Sequence, residues 1–194
     1  MRWNDLAGTL KVSNQVRTSL HSKLPLGRTY LYAGDFEKSY MQFQHTIEMA
    51  PTFPLVHLFF GDALALMGRY EEAIREMQKG WLLSGEGAEQ AGAEAEALLQ
   101  AWKKDGEKGF WQKKLEFTLK EREQPPRAGY FPAADVAFAY VKVGDNDKAF
   151  EWLEKAYQDR AGQDISSIRC SPRYKNLQGD PRFAGLVRRL GLPE

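Results

Sequence analysis

The sequence is poor in the residues from which most reactive sites are built. It has one cysteine, Cys170, and three histidines, His21, His45 and His57. A single cysteine excludes an intramolecular disulfide framework and is compatible with a reducing compartment. The histidines lack the spacing of metal ligands. Arg169 precedes Cys170 and favours a thiolate there, but no histidine is near it in sequence to act as a base. We therefore predict no catalysis, no cofactor and no metal; an enzyme that uses Cys170 or the histidines is the alternative.

The sequence also lacks a large net charge and a long apolar run. The net charge is +1, which excludes a global field that would recruit nucleic acid or an anionic membrane. No apolar run reaches the roughly 18 residues of a membrane span. The first residues, 1–5, lack the apolar core of a secretory signal. If the chain is complete, these absences predict a cytoplasmic protein that binds neither nucleic acid nor a bilayer.

What the sequence does contain is one pattern written twice. Small and aromatic residues recur after 34 positions, which is typical of stacked helix-turn-helix repeats. The first copy has Gly27, Tyr30, Gly34, Phe36, Ser39, Phe43 and Thr46, and the second has Gly61, Leu64, Gly68, Tyr70, Ala73, Met77 and Gly80. The small residues are placed where two helices must approach closely, and the larger ones fill the space beside them.

A third copy is out of step with the first two. It breaks at Gly144-Asp145, and Gly144 follows Gly68 by 76 positions, which is two periods plus eight. Between the copies we predict a lengthened helix pair that is broken at Asp105-Gly106 and ends at Pro125-Pro126. We favour one continuous stack over two domains joined at these prolines, because the third copy alone has too little core.

These patterns predict that the whole chain, 1–194, forms one domain of consecutive helical pairs. Ser171-Pro172 and Asp180-Pro181 each place an N-cap before a proline at the first helical position, which predicts short helices at the end of the chain. The predicted parts are a partial repeat or N-terminal cap (1–19), two repeats (20–53 and 54–87), the lengthened helix pair (88–129), the third repeat (130–163) and a C-terminal cap (164–194). Trp102, Phe110 and Trp111 have helical spacing and are interpreted as core rather than as platforms for nucleic-acid bases.

The pattern Leu26-Gly27-x-x-Tyr30, Ser39-x-x-x-Phe43 and Pro51 resembles the tetratricopeptide repeat (TPR). The second copy departs from it at Phe60, Leu64, Met77 and Gly85, and the tryptophan of the family is replaced by Lys23, His57 and Ala133. The resemblance implies an all-α fold: a right-handed superhelical array of helix-turn-helix repeats, or TPR-like α-solenoid, with short C-terminal capping helices. It also implies a non-catalytic scaffold whose partner is a protein or peptide.

A second resemblance concerns the end of the chain. The stretch from Tyr140 to Tyr157, followed by Asp180-Pro-Arg-Phe183, looks like the carboxyl-terminal TPR region of certain bacterial signalling proteins. In those proteins the array follows a DNA-binding, cyclase or kinase domain. The resemblance implies, as an alternative function, a sensory or regulatory domain of a larger protein.

By resemblance to the TPR family, the first helix of each pair lines a concave groove. The residues expected to line it and bind a peptide or amphipathic helix are Leu24, Arg28, Leu31, Tyr32, Leu55, Leu58, Asp62, Phe131 and Phe138. Two alternatives remain open. The end helices of the same chain fill the groove, or an uncovered terminal repeat face joins two copies into a homo-oligomer.

Overall fold

The structure is a computed structural model that describes residues 26–122, 133–158, 168–169 and 171–191, apart from the side chains of 121 and 122. Predictions for Leu24, Phe131, Cys170 and residues 1–19 lie outside this part. All regular structure in the described ranges is helical, and these ranges contain no strand. The predicted all-α class is therefore confirmed for the part of the chain that the structure describes. No helix in that part is long and apolar enough to cross a membrane.

The described chain begins in helical residues 26–32, called α1. The following elements are α2 (Phe36–Met49), α3 (Pro54–Leu66), α4 (Tyr70–Leu83), α5 (Ala88–Arg122), α6 (Ala133–Val143), α7 (Asn146–Gln158), a 3₁₀ helix (Pro172–Leu177) and α8 (Pro181–Arg189). Both predicted N-caps near the end of the chain are present. Ser171 accepts a hydrogen bond from the amide of Arg173, and Asp180 accepts one from the amide of Arg182.

The described residues form two compact units, and each has its own core. The first unit runs to Phe110 and the second begins at Trp111. In the first unit the Phe60 ring lies 5.3 Å from Tyr40 and 5.8 Å from Phe43, centroid to centroid. Phe110 and Trp111 are 0% and 2% exposed, so the prediction that they are core residues is confirmed, whereas Trp102 is half-buried.

Three tight turns that connect helices share one geometry. In each turn a glycine has positive φ, and the amide of the next residue donates to a carbonyl five positions earlier, as in a Schellman motif. The glycines are Gly34, Gly68 and Gly144, with φ of 80°, 78° and 86°. The amide-to-carbonyl pairs are Asp35 to Tyr30, Arg69 to Leu64 and Asp145 to Tyr140, at 2.9, 2.8 and 3.0 Å. The three turns thus end the preceding helix in the same way.

The close approach of helices also repeats with the sequence. A Cβ on Gly27 would lie 3.0 Å from the Phe43 ring, and a Cβ on Gly61 would lie 2.7 Å from Cγ of Met77. These are equivalent positions in the two copies of the pattern. Ser39 adds a buried hydrogen bond of 2.9 Å from its hydroxyl to the carbonyl of Gly27. A larger side chain at either glycine would separate the helices that it brings together.

Helix α5 contains the break that the sequence placed at Asp105-Gly106. Gly106 has φ 61° and ψ −143°, a region that only glycine adopts readily. Close to this break, a Cβ on Gly109 would overlap the carbonyl oxygen of Ala101. Gly106 therefore supplies the backbone angles of the break, and Gly109 leaves room for the Ala101 carbonyl.

Candidate binding surface

Helix α3 is buried along most of its circumference but keeps one half-buried stripe. Five residues of α3 are half-buried, and the other residues of this helix are buried: the half-buried ones are Leu55, Leu58, Phe59, Asp62 and Leu66. Spacings of three and four positions place these residues on one face of the helix. This face is apolar and aromatic, with one carboxylate.

Arg28 connects this face to α1. Its guanidinium carbon lies 4.5 Å from the centroid of the Phe59 ring and 5.3 Å from that of Tyr32. Its Nη2 and Nε donate to the Tyr32 hydroxyl at 2.6 and 3.2 Å. Contacts between arginine and aromatic rings stabilise by about 0.5–2 kcal/mol depending on exposure. We call Arg28, Tyr32 and Phe59 the Arg28 cluster.

The predicted groove residues differ in their exposure to solvent. The half-buried ones are Arg28 and Tyr32 on α1 and Leu55, Leu58 and Asp62 on α3. Leu31 is only 4% exposed and belongs to the interior of the first unit.

Two further predicted residues are engaged in packing. A Cβ on Gly80 would lie 2.6 Å from Cδ2 of Leu58, so this leucine fills the space between α3 and α4. In the second unit Phe138 is 4% exposed. Its ring lies 5.4 Å from that of Trp111 and 6.2 Å from that of Tyr174, and the guanidinium carbon of Arg173 lies 4.2 Å away.

Phe59 was missing from the sequence prediction, although its ring lies against the Arg28 guanidinium in the Arg28 cluster. The signal for it was present, because Phe59 is four positions after Leu55 and three before Asp62. Helical spacing places these three residues on one face. The candidate surface is therefore formed by Arg28, Tyr32, Leu55, Phe59 and Asp62.

A cleft lies between α7 and α8 of the second unit. This cleft of about 310 Å³ is lined by Phe150, Glu154, Arg182, Gly185, Leu186 and Arg189. Both of its guanidinium groups bind carboxylates. Arg189 donates to the two oxygens of Glu154 at 2.8 and 2.6 Å, and this bonding keeps the pKa of Glu154 below its usual 4.5. Arg182 donates to Asp147 and Asp180, each at 2.8 Å. Because both arginines bind carboxylates of the protein itself, we interpret the cleft as part of the contact between α7 and α8 and not as an anion site.

Groups able to perform chemistry are few in the described ranges. These ranges contain no group of three or more histidine, cysteine and acidic side chains arranged to hold a metal ion. One buried pair, His57 with Glu76, lies between α3 and α4. No protein-family model matches the chain, and no curated protein matches it. The half-buried surface of α1 and α3 is therefore the candidate binding site of the described residues.

Proposed function

We propose that this protein is a TPR-like α-solenoid that acts as a non-catalytic interaction module. Its partner is a peptide or an amphipathic helix that binds the face formed by Arg28, Tyr32, Leu55, Phe59 and Asp62. The observation that carries the proposal is the half-buried stripe on α3, joined to α1 by Arg28. The repeated glycine turns and the repeated close approach of helices support the solenoid part of the proposal.

The chemistry of this face suits an amphipathic helix. Leu55 and Phe59 contribute apolar area, and Arg28 and Asp62 are the charged residues of this face. A helix that binds in a groove places its own apolar residues at spacings of three and four positions. Aromatic rings and arginine are also the residue types that contribute most to protein interfaces. α1 and α3 correspond to the first helices of the repeats, which line the groove in TPR arrays.

The test removes the apolar part of the face without disturbing the hairpin. Leu55→Ala combined with Phe59→Ala is preferable to any change at Leu58, which packs against Gly80. We expect the double variant to lose partners that the wild type captures in an affinity experiment, while its far-ultraviolet circular dichroism is retained. Met41→Ala is the matched control, because Met41 is an apolar residue of the same unit that is 53% exposed. Retention of every partner by the double variant would remove α3 from the binding face.

A regulatory domain of a larger signalling protein is the second proposal. It comes from the resemblance of the stretch from Tyr140 to Tyr157 and of Asp180-Pro-Arg-Phe183, which lie in the α6–α7 hairpin and at the start of α8. An open reading frame that continues upstream of Met1 into an output domain would support it. A genomic stop codon directly upstream would count against it.

A further inference from the structure

A buried histidine joins three elements of the first unit. The His57 side chain on α3 is 5% exposed. Its Nδ1 lies 2.6 Å from Oε2 of Glu76 on α4, and its Nε2 lies 2.8 Å from the carbonyl oxygen of Pro51 in the turn between α2 and α3. The Glu76 side chain is 14% exposed and also accepts a hydrogen bond of 2.7 Å from Nζ of Lys79.

Both partners of the ring are acceptors. A carbonyl oxygen and an ionised carboxylate have no proton to donate, and a neutral imidazole has only one N–H. Two such contacts at these distances therefore need the doubly protonated ring. The hydrogen bond to Glu76 raises the pKa of His57 above its ordinary 6.5, and the Pro51 carbonyl adds to this effect against the opposing influence of burial.

The carboxylate is ionised for a complementary reason. Burial acts to raise the pKa of Glu76, but the hydrogen bonds from His57 and Lys79 outweigh it, so the pKa lies below its ordinary 4.5. The charged groups that face His57 are Glu76 and Lys79 from α4, and the α2–α3 turn contributes the uncharged Pro51 carbonyl. The proton between His57 and Glu76 is thus on the histidine, and Lys79 binds the other carboxylate oxygen, Oε1.

The Pro51 contact matters because α3 begins without a capping side chain. Phe53 occupies the N-cap position and makes no side-chain hydrogen bond there. The turn is held by backbone bonds from Phe53 to Ala50 at 3.1 Å and from Val56 to Phe53 at 3.2 Å. His57 adds the side-chain bond that fixes the turn to the hairpin.

We propose that His57 is a pH-sensitive lock that holds the α2–α3 turn on the α3–α4 hairpin when the ring is protonated and releases it when the proton is lost. The folded pKa of His57 is raised, so its contribution to stability is complete below pH 6.5 and is lost as the pH rises through the folded value. The folded pKa of Glu76 is lowered, so its contribution is present above pH 4.5 and is lost as the pH falls through the folded value. The lock is therefore closed between pH 4.5 and pH 6.5 and opens as the pH rises through the folded pKa of His57.

A titration of the wild-type protein tests the lock directly. We expect NMR of the histidine rings to show that His57 titrates above pH 6.5 and carries protons on both nitrogens below its midpoint. We also expect the Phe53 and Val56 amides to exchange with solvent faster above that midpoint than the ordinary pH dependence of exchange requires. The Asp145 amide, in the Gly144 turn between α6 and α7 of the second unit, is the reference. A midpoint for His57 at or below 6.5, or equal behaviour of the two turns, would overturn the proposal.

Two variants separate the lock from general packing. Below both pKa values, each pKa unit by which the folded value exceeds the unfolded one raises the ratio of folded to unfolded protein by about tenfold. We expect the unfolding constant of the wild type to rise more steeply between about pH 6 and 9 than that of His57→Gln. His45→Gln is the matched control, because the His45 side chain is 54% exposed, and it should follow the wild type.

If His57→Gln does not fold, Glu76→Gln gives the same information. The neutral amide removes the charge that favours the imidazolium, so the midpoint of His57 should move down. Identical pH profiles for the wild type and His57→Gln, or an unchanged His57 midpoint in Glu76→Gln, would refute the lock.

Discussion

The close contact between α3 and α4 at Gly61 leads to a quantitative prediction. Replacing a helical glycine by alanine normally stabilises a protein by up to about 1 kcal/mol, because alanine has the better helix propensity. At Gly61 the added Cβ would lie 2.7 Å from Cγ of Met77 and 3.0 Å from the carbonyl oxygen of Ala73. The methionine side chain is flexible and can move. The carbonyl is part of the α4 backbone and can move only with the helix.

The magnitude follows from comparing Gly61 with a glycine that has room. Gly92 is also helical and belongs to the same unit, and a Cβ there would have its nearest contact at 3.9 Å, with Nε2 of Gln78. Gly92→Ala should therefore show the propensity gain alone. Gly61→Ala has the same gain and an added overpacking cost of about 1–3 kcal/mol. We expect Gly61→Ala to be less stable than Gly92→Ala by that difference.

Urea unfolding followed by far-ultraviolet circular dichroism measures this difference. Each kcal/mol corresponds to a change in Tm of about 2–4 °C for a protein of this size, so thermal unfolding gives an independent check. Equal stability of the two variants, or greater stability of Gly61→Ala, would refute the claim that α3 and α4 leave no room for a methyl group at Gly61.

Three further substitutions test other contacts of the fold. Ser39→Ala removes the buried donor to the Gly27 carbonyl and should cost about 1–3 kcal/mol in chemical unfolding, since the carbonyl is left without its partner. Gly106→Ala places a Cβ on a residue with φ 61° and should cost about 1–3 kcal/mol, which a lowered Tm would show and an unchanged Tm would contradict. Tyr174→Phe removes the buried 2.8 Å bond from its hydroxyl to the Ala134 carbonyl; a loss of about 1–2 kcal/mol is expected, and amide exchange around Ala134 that stays unchanged would speak against it.

The glycine turns and the helix contacts could be predicted from sequence because their causes are local. A glycine such as Gly34 or Gly68 is needed where φ is positive, and a small residue such as Gly61 is needed where helices touch. These requirements act within a few residues or across one hairpin. Periodicity of small and aromatic residues is therefore enough to place them.

The candidate surface was harder to predict because exposure depends on distant packing. Phe138 occupies a groove position by pattern, yet Tyr174 and Arg173 of the later 3₁₀ helix lie against its ring. Leu58 similarly packs into the space that Gly80 on α4 leaves open because it has no side chain. Neither fact follows from helical spacing, because each is decided by a residue on another element.

The short distance in sequence between partners has a consequence for how this chain reaches its fold. Gly27 packs against Phe43 and Gly61 packs against Met77. His57 binds Glu76, which is only 19 positions away in the sequence. Chains dominated by such local contacts close small loops and fold rapidly, and a repeat can form before its neighbours do. We expect the α3–α4 hairpin to be among the early structures on the folding pathway, with its Gly61 contact already made at the rate-limiting barrier.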